Sequence, residues 1–117
     1  MRESEFVFVY STFPDEAAAM RVADALVQEN LAACVNIHAA MTSVYAWDGK
    51  IQHERETAAF IKTRASLASK AIAAARALHP YSVPCFLVLP IVDGNRDYLD
   101  WARAQTAHTS LEERGAS

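Results

Sequence analysis

The sequence predicts a single α+β domain of split-βαβ topology, and three observations carry that prediction. Apolar patterning alternates along the chain in the order strand, helix, strand, strand, helix, strand, helix. Asp48-Gly49, flanked by aromatic and β-branched residues, marks a two-residue hairpin turn of the kind that needs positive φ at both central positions. Strand-compatible sequence runs back from that turn to about Ala33 and forward to about Thr63, with no proline and no further glycine. Two βαβ units joined by such a hairpin give the ferredoxin-like arrangement. Four antiparallel strands then carry both main helices on one face, because each crossover is right-handed.

Each element has its own signal. Phe6-Val7-Phe8-Val9-Tyr10 is a continuous apolar run, the pattern of a strand inside a sheet. Thr12, Pro14, Asp15 and Glu16 mark a helix start. That helix is predicted to run to about Asn30, with Ala19, Met20, Ala23, Leu26 and Val27 on its apolar stripe. Asn30 is a suitable terminator because it tolerates the left-handed conformation.

Counting outward from Asp48-Gly49, opposed hairpin positions sum to 97, so Trp47 faces Lys50, Tyr45 faces Gln52 and Ile37 faces Phe60. One face then carries Val35, Ile37, Met41, Tyr45 and Trp47 with Phe60, Glu56, Glu54, Gln52 and Lys50. Its base is apolar and its tip mixes aromatics with charges. A bulge near Met41-Thr42 would exchange the faces beyond it.

Ser66 or Thr63 is expected to open a second helix from Leu67 to His79, with Leu67, Ala71, Ala74, Ala75 and Leu78 facing inward and Pro80 ending it. Val83 to Ile91 reads as the fourth strand, at an edge that suits Pro84 and Pro90. After Asp93-Gly94-Asn95, residues from Arg96 begin a helix whose apolar face is Tyr98, Leu99, Trp101 and Ala102. From about Thr106 periodicity is lost and a frayed tail is expected to 117.

The arms have a consequence for assembly. At ~3.3 Å per residue, an arm of roughly 15 residues spans about 50 Å. A compact domain of this size is about 34 Å across, from a radius of gyration of ~13 Å. The tip therefore overhangs with Tyr45 and Trp47 on it, and the sheet face away from the helices is semi-apolar. Both features predict a homo-oligomer.

Composition narrows the function classes. The 117 residues are 52% hydrophobic with three glycines and four prolines, which is ordered globular protein. Net charge is −3 and the eleven basic residues are scattered, against a nucleic-acid partner. No apolar run approaches the ~20 residues of a membrane span. The first residues enter a strand with no signal-like apolar region, and two cysteines are too few for a disulfide framework, so a cytoplasmic location is expected.

Several segments resemble one family in series. Leu31-Ala32-Ala33-Cys34-Val35-Asn36-Ile37, Ser43 to Ile51, Phe60-Ile61-Lys62-Thr63, His79-Pro80-Tyr81-Ser82-Val83-Pro84 and Tyr98-Leu99-Asp100-Trp101 are similar to CutA, the divalent-cation tolerance family, over roughly residues 5 to 105. The resemblance implies a homotrimer shaped like the PII signalling proteins, with long hairpins reaching onto neighbouring subunits. It also implies a cytoplasmic role in divalent-metal tolerance, copper above all. Relatives proposed to bind copper carry a cysteine where this chain has Ser11 and a Pro-Glu where it has Pro84-Cys85; of their histidines before Pro-Tyr only His79 is present.

The candidate residues follow. For copper or another divalent cation, which want two to four converging ligands, they are His79 and, with it or from a neighbouring subunit, Cys85. Cys34 and His38 lie roughly 13 Å apart on a strand, too far to share an ion. For an inter-subunit cleft or interface they are Tyr45, Trp47, Lys50, Glu56, Lys62, Tyr81 and Trp101. These could hold a small polar ligand or bind subunits through a Trp47–Lys50 cation–π contact and a Glu56–Lys62 ion pair. Ser11-Thr12 has no neighbouring base and no phosphate loop follows the first strand, so no enzyme chemistry is expected. Two function classes follow: a metal-tolerance protein and a PII-like small-ligand module.

Overall fold

The computed structural model describes residues 4–107. The strands are β1 (Phe6–Phe13), β2 (Cys34–Trp47), β3 (Lys50–Arg64) and β4 (Phe86–Ile91), and the helices are α1 (Glu16–Gln28), α2 (Ala68–Leu78) and α3 (Arg96–Gln105). They form one antiparallel sheet in the order β2-β3-β1-β4. This is the predicted ferredoxin-like arrangement of long central hairpin and C-terminal helix.

Local chemistry explains the boundaries. The first strand continues three residues beyond Tyr10, so Thr12 lies in β1 and the cap is Asp15, whose Oδ1 accepts from the Ala18 N–H at 2.9 Å. Asn30 ends the helical segment with φ 58°, and the Leu31 N–H turns back to the Leu26 carbonyl at 2.9 Å. Neither Ser66 nor Thr63 caps the second helix. Thr63 is still in β3, where its hydroxyl donates to the Leu31 carbonyl at 2.7 Å, and a single 3₁₀ turn over Ala65–Leu67 leads into α2. The last strand is shorter than Val83 to Ile91, because residues 80–85 form an irregular loop.

Both main helices cover one sheet face through alanine. Ala18, Ala19, Ala68, Ala71 and Ala75 pack with Val9, Phe13, Val22, Leu26 and Ile61 in the main core. Complete burial of Phe13, Leu26 or Ile61 stabilises the fold by ~1.5–3 kcal/mol each. The α1 stripe is rotated from the predicted one. Ala18 and Val22 are inside, whereas Met20 and Val27 are about half exposed, as is Leu78 on α2.

The hairpin register carries the main correction. Pairs sum to 97 from Trp47↔Lys50 down to Met41↔Glu56, then to 96 from His38↔Ala58 to Cys34↔Lys62. One extra residue in β2 makes the difference, and Ala40 takes it up with φ 60°. Ile37 thus opposes Ala59, not Phe60. Below the bulge Val35 and Ile37 join Ala59 and Ile61 under the helices. Phe60 stays on the opposite face with Glu56 and Glu54, and with Phe8 and Tyr10 of β1 by register.

That opposite face is only partly covered. At one end α3 lies over Phe6, with Ala102 buried and Leu99 and Ile91 packed beside it. Thr106 is buried too, held by Ala102 and by Arg64, which donates to both its hydroxyl and its carbonyl. The expected frayed tail therefore does not begin at Thr106; its remainder, 108–117, lies outside the described residues. Elsewhere on this face Leu87 and Leu89 are exposed beside Tyr10 and Phe8.

Candidate functional site

The candidate residues divide between two ends of the face that the main helices leave uncovered. Glu56 and Lys62 are six residues apart along β3, roughly 20 Å. They do not meet within one chain.

The first group lines an open cleft of about 840 Å³ between the hairpin and the 80–85 loop. Tyr45, Trp47, Glu54, Glu56 and Tyr81 supply most of its chemistry, and Cys85 lies on its wall. Alternation on β3 brings Glu54 and Glu56 to one face, and the register from the turn places Tyr45 and Trp47 beside them. The Tyr81 hydroxyl donates to Glu56 Oε2 at 2.8 Å. Burial and that carboxylate raise the Tyr81 phenol well above its ordinary value; burial and then Glu54 raise Tyr45. Both phenols remain protonated donors at neutral pH. Among the described residues no lysine or arginine lines this cleft, so its field is negative.

His79 stands behind the cleft wall, at the C-terminal end of α2. Its ring stacks on Phe13 with centroids 4.5 Å apart. Nδ1 accepts from the Tyr81 N–H at 3.1 Å, which makes Nε2 the protonated nitrogen, donating to the Thr12 carbonyl at 2.8 Å. Burial lowers its pKa, opposed by the Thr12 bond and by Glu56. Both nitrogens are thus occupied, and no lone pair is free for an ion. Burial first, then Glu56, pushes the Cys85 thiol up, away from the thiolate a soft metal needs. Ser11 is fully buried and its hydroxyl donates to the Cys85 carbonyl at 2.7 Å, fixing the loop. Among the described residues no three His, Cys, Asp or Glu side chains converge to hold a metal. The donors of one chain do not fit a copper or zinc centre.

The second group gathers beneath α3. Lys62 Nζ lies 5.5 Å from the ring centroids of both Phe8 and Tyr98, and Tyr98 in turn packs on Trp101 at 5.6 Å. Lys50 stands opposite Trp47 at the exposed tip, beside the first group but not on the cleft wall.

Residues 7–105 match the family model described as CutA1 divalent ion tolerance protein. The chain belongs to that family. It is 46% identical over 98 residues to the "Divalent-cation tolerance protein CutA" of Thermus thermophilus, covering 84% of this chain and 95% of that one. It is 41% identical to the human "Protein CutA", of which it spans 56%. Among solved structures, the CutA of Xylella fastidiosa superposes with a TM-score of 0.85 at 37% identity, covering 88% of this chain and 99% of that chain.

Sequence reasoning missed Phe8 and Tyr98 as the partners of Lys62. Phe8 faces Lys62 through the β1–β3 pairing, a long-range register that no local pattern announces. Glu54 and Gln52, by contrast, were legible, since counting from Asp48-Gly49 puts them beside Tyr45.

Proposed function

We propose that this CutA-family chain acts in divalent-cation tolerance as a non-enzymatic homotrimer in the cytoplasm, with copper or another divalent cation drawn to clefts between subunits. The observation that carries the reading is the cleft wall itself: Glu54 and Glu56 beside Tyr45 and Tyr81, with no basic side chain lining it among the described residues. Such a wall attracts cations and repels anions. Its oxygen donors suit a hard or borderline ion, and a neighbouring chain would complete the ligand set. The family's name and the relatives' names support the tolerance role. The overhanging hairpin supports assembly, and two unpaired cysteines fit a reducing compartment.

Isothermal titration of copper and zinc into the reduced protein tests this. Saturable binding is expected, weakened about tenfold in Glu56→Gln, the loss of one charged ligand. His79→Ala should keep saturable binding and lose less affinity than Glu56→Gln, because the imidazole only props the loop that carries Tyr81. No saturable binding in the parent overturns direct binding, and loss of binding in His79→Ala alone moves the site to that imidazole.

The second reading, a PII-like module, is favoured by cleft size, since ~300–1,000 Å³ is usual for small-ligand pockets. Native mass spectrometry after gentle purification decides it: a trimer carrying extra mass supports a metabolite, and a bare trimer counts against one.

A further inference from the structure

The loop of residues 80–85 forms one wall of the acidic cleft, and its course is set from the core. β1 keeps its pairing to β3 as far as Phe13, but its pairing to β4 ends at Ser11↔Phe86. Pro84, which the same register would place opposite Phe13, has no N–H to give a ladder. Beyond the last rung β1 therefore presents an edge whose backbone groups need other partners.

Two buried side chains act there. His79 Nε2 donates to the Thr12 carbonyl at 2.8 Å, and the Ser11 hydroxyl donates to the Cys85 carbonyl at 2.7 Å. Both lie on the helix side of the sheet. Ser11 falls between Val9 and Phe13 in the alternation of β1, and the His79 ring stacks on Phe13. Ser11 is fully buried and His79 is buried too, so a neighbour covering the opposite face leaves both bonds in place. Burying a hydroxyl costs free energy that only its hydrogen bond offsets, so the bond is the use of a serine at this core position.

The two bonds hold the loop at its ends. His79 accepts the Tyr81 N–H at one end, and Ser11 holds Cys85, the last residue before β4, at the other. Between them the chain runs irregularly and carries the Tyr81 hydroxyl to Glu56 Oε2 at 2.8 Å. A carboxylate accepts several bonds, so Glu56 stays open to a cation while Tyr81 fixes its orientation. A ligand group held in place beforehand loses less freedom on binding.

We propose that Ser11 is a positioning residue of the cleft: by anchoring Cys85 it holds, together with His79, the loop that sets Tyr81 on Glu56, and so strengthens the cleft's grip on a cation. The grip rests on the cation reading above; the placement of Tyr81 does not.

The test therefore has two arms. The first needs no cation and follows the ¹³Cζ resonance of Tyr81 at neutral pH in full-length protein labelled at tyrosine, assigned by its loss in Tyr81→Phe. Glu56→Ala gives its position without the hydrogen bond. Ser11→Ala, with its circular dichroism spectrum unaltered, should move the resonance towards that position, and Ser11→Thr, which keeps the hydroxyl, should leave it at the parent's. An unmoved resonance in Ser11→Ala overturns the proposal, as does an equal displacement in Ser11→Ala and Ser11→Thr. The second arm is zinc titration calorimetry. Ser11→Ala should weaken zinc binding about threefold to fivefold, the reach of one hydrogen bond net of water. In a Tyr81→Phe background the same change should cost nothing further, because its effect passes through that hydroxyl. Additive losses would overturn action through Tyr81. A parent that binds no zinc would refute the cation reading and the grip with it, while the resonance alone decides the placement of Tyr81.

Discussion

At the scale of single residues, His79 shows how a side chain rich in chemistry can be committed to structure. Its two nitrogens tie the end of β1 to the start of the 80–85 loop, through the Thr12 carbonyl and the Tyr81 N–H. That loop carries Tyr81 to Glu56 and so shapes the cleft. Protonating Nδ1 removes the acceptor for Tyr81. Because burial lowers the folded pKa below the ordinary 6.5, the unfolded chain takes up the proton first as pH falls. The contribution of His79 is therefore fully present above pH 6.5 and is lost as pH falls through the window beneath it. Glu5 is depressed by Arg103, so its contribution disappears in a separate window below 4.5. Urea unfolding at fixed protein concentration should show stability declining from about pH 7 to pH 5 in the parent and staying flat there in His79→Gln. The variant should also lose roughly 1–3 kcal/mol at pH 7, the cost of leaving a buried partner unsatisfied. An unchanged slope would mean that His79 does not titrate across folding. The sequence marks His79 as special because it precedes Pro80 at a helix end. Whether its nitrogens are free depends on Thr12 and Tyr81, which only the folded chain brings to it.

At the scale of elements, the β2 bulge separates the side chains of the cleft from those of the core. Without the extra residue, Val35 and Ile37 would share a face with Tyr45, Trp47, Glu54 and Glu56. With it, Val35 and Ile37 turn under the helices while Tyr45 and Trp47 stay beside Glu54 and Glu56. The device rests on an exposed alanine at φ 60°, a region where any Cβ carries strain. Ala40→Val should destabilise by about 1–2 kcal/mol, since a β-branched residue tolerates that region worst. Ala40→Gly should be neutral or stabilising by up to about 1 kcal/mol, relief of strain being partly offset by the entropy of the unfolded chain. Thermal unfolding of the two variants checks both signs, and equal destabilisation would argue against a left-handed residue 40. This element also shows where legibility stopped. Local signals announced Asp48-Gly49, the alternation beyond it and the helix stop at Asn30, because each depends on a few neighbouring residues. The bulge has no glycine to mark it, and register propagated from the turn fails by one residue past Met41. The rotation of α1 was equally hidden, since two-thirds of its residues are small or apolar and several faces would satisfy the periodicity.

At the scale of the molecule, shape and surface chemistry point the same way. The chain extends 52 × 34 × 22 Å with a radius of gyration of 15.4 Å, against about 13 Å for a compact domain of this length. The long axis accommodates the 14- and 15-residue strands of the hairpin, longer than the body is wide. Apolar side chains are placed where this geometry leaves them in water: Trp47 is 71% exposed and Ile51 66% at the tip, and Leu87 is 58% exposed on β4. A second copy of the chain is the economical cover for both, because it brings the same two surfaces to each contact. On the proposed trimer, the tip contributes to association and little to the isolated fold. Trp47→Ala should then lower the thermal midpoint by an amount that grows on dilution, since only coupled folding and assembly depends on protein concentration. Sedimentation of the parent should give a species three times the 12.9 kDa chain mass, and the variant should shift towards the single chain. A parent that sediments as one chain at micromolar concentration, or a Trp47→Ala effect that ignores concentration, would mean the tip packs on its own chain. The overhang would then need another explanation.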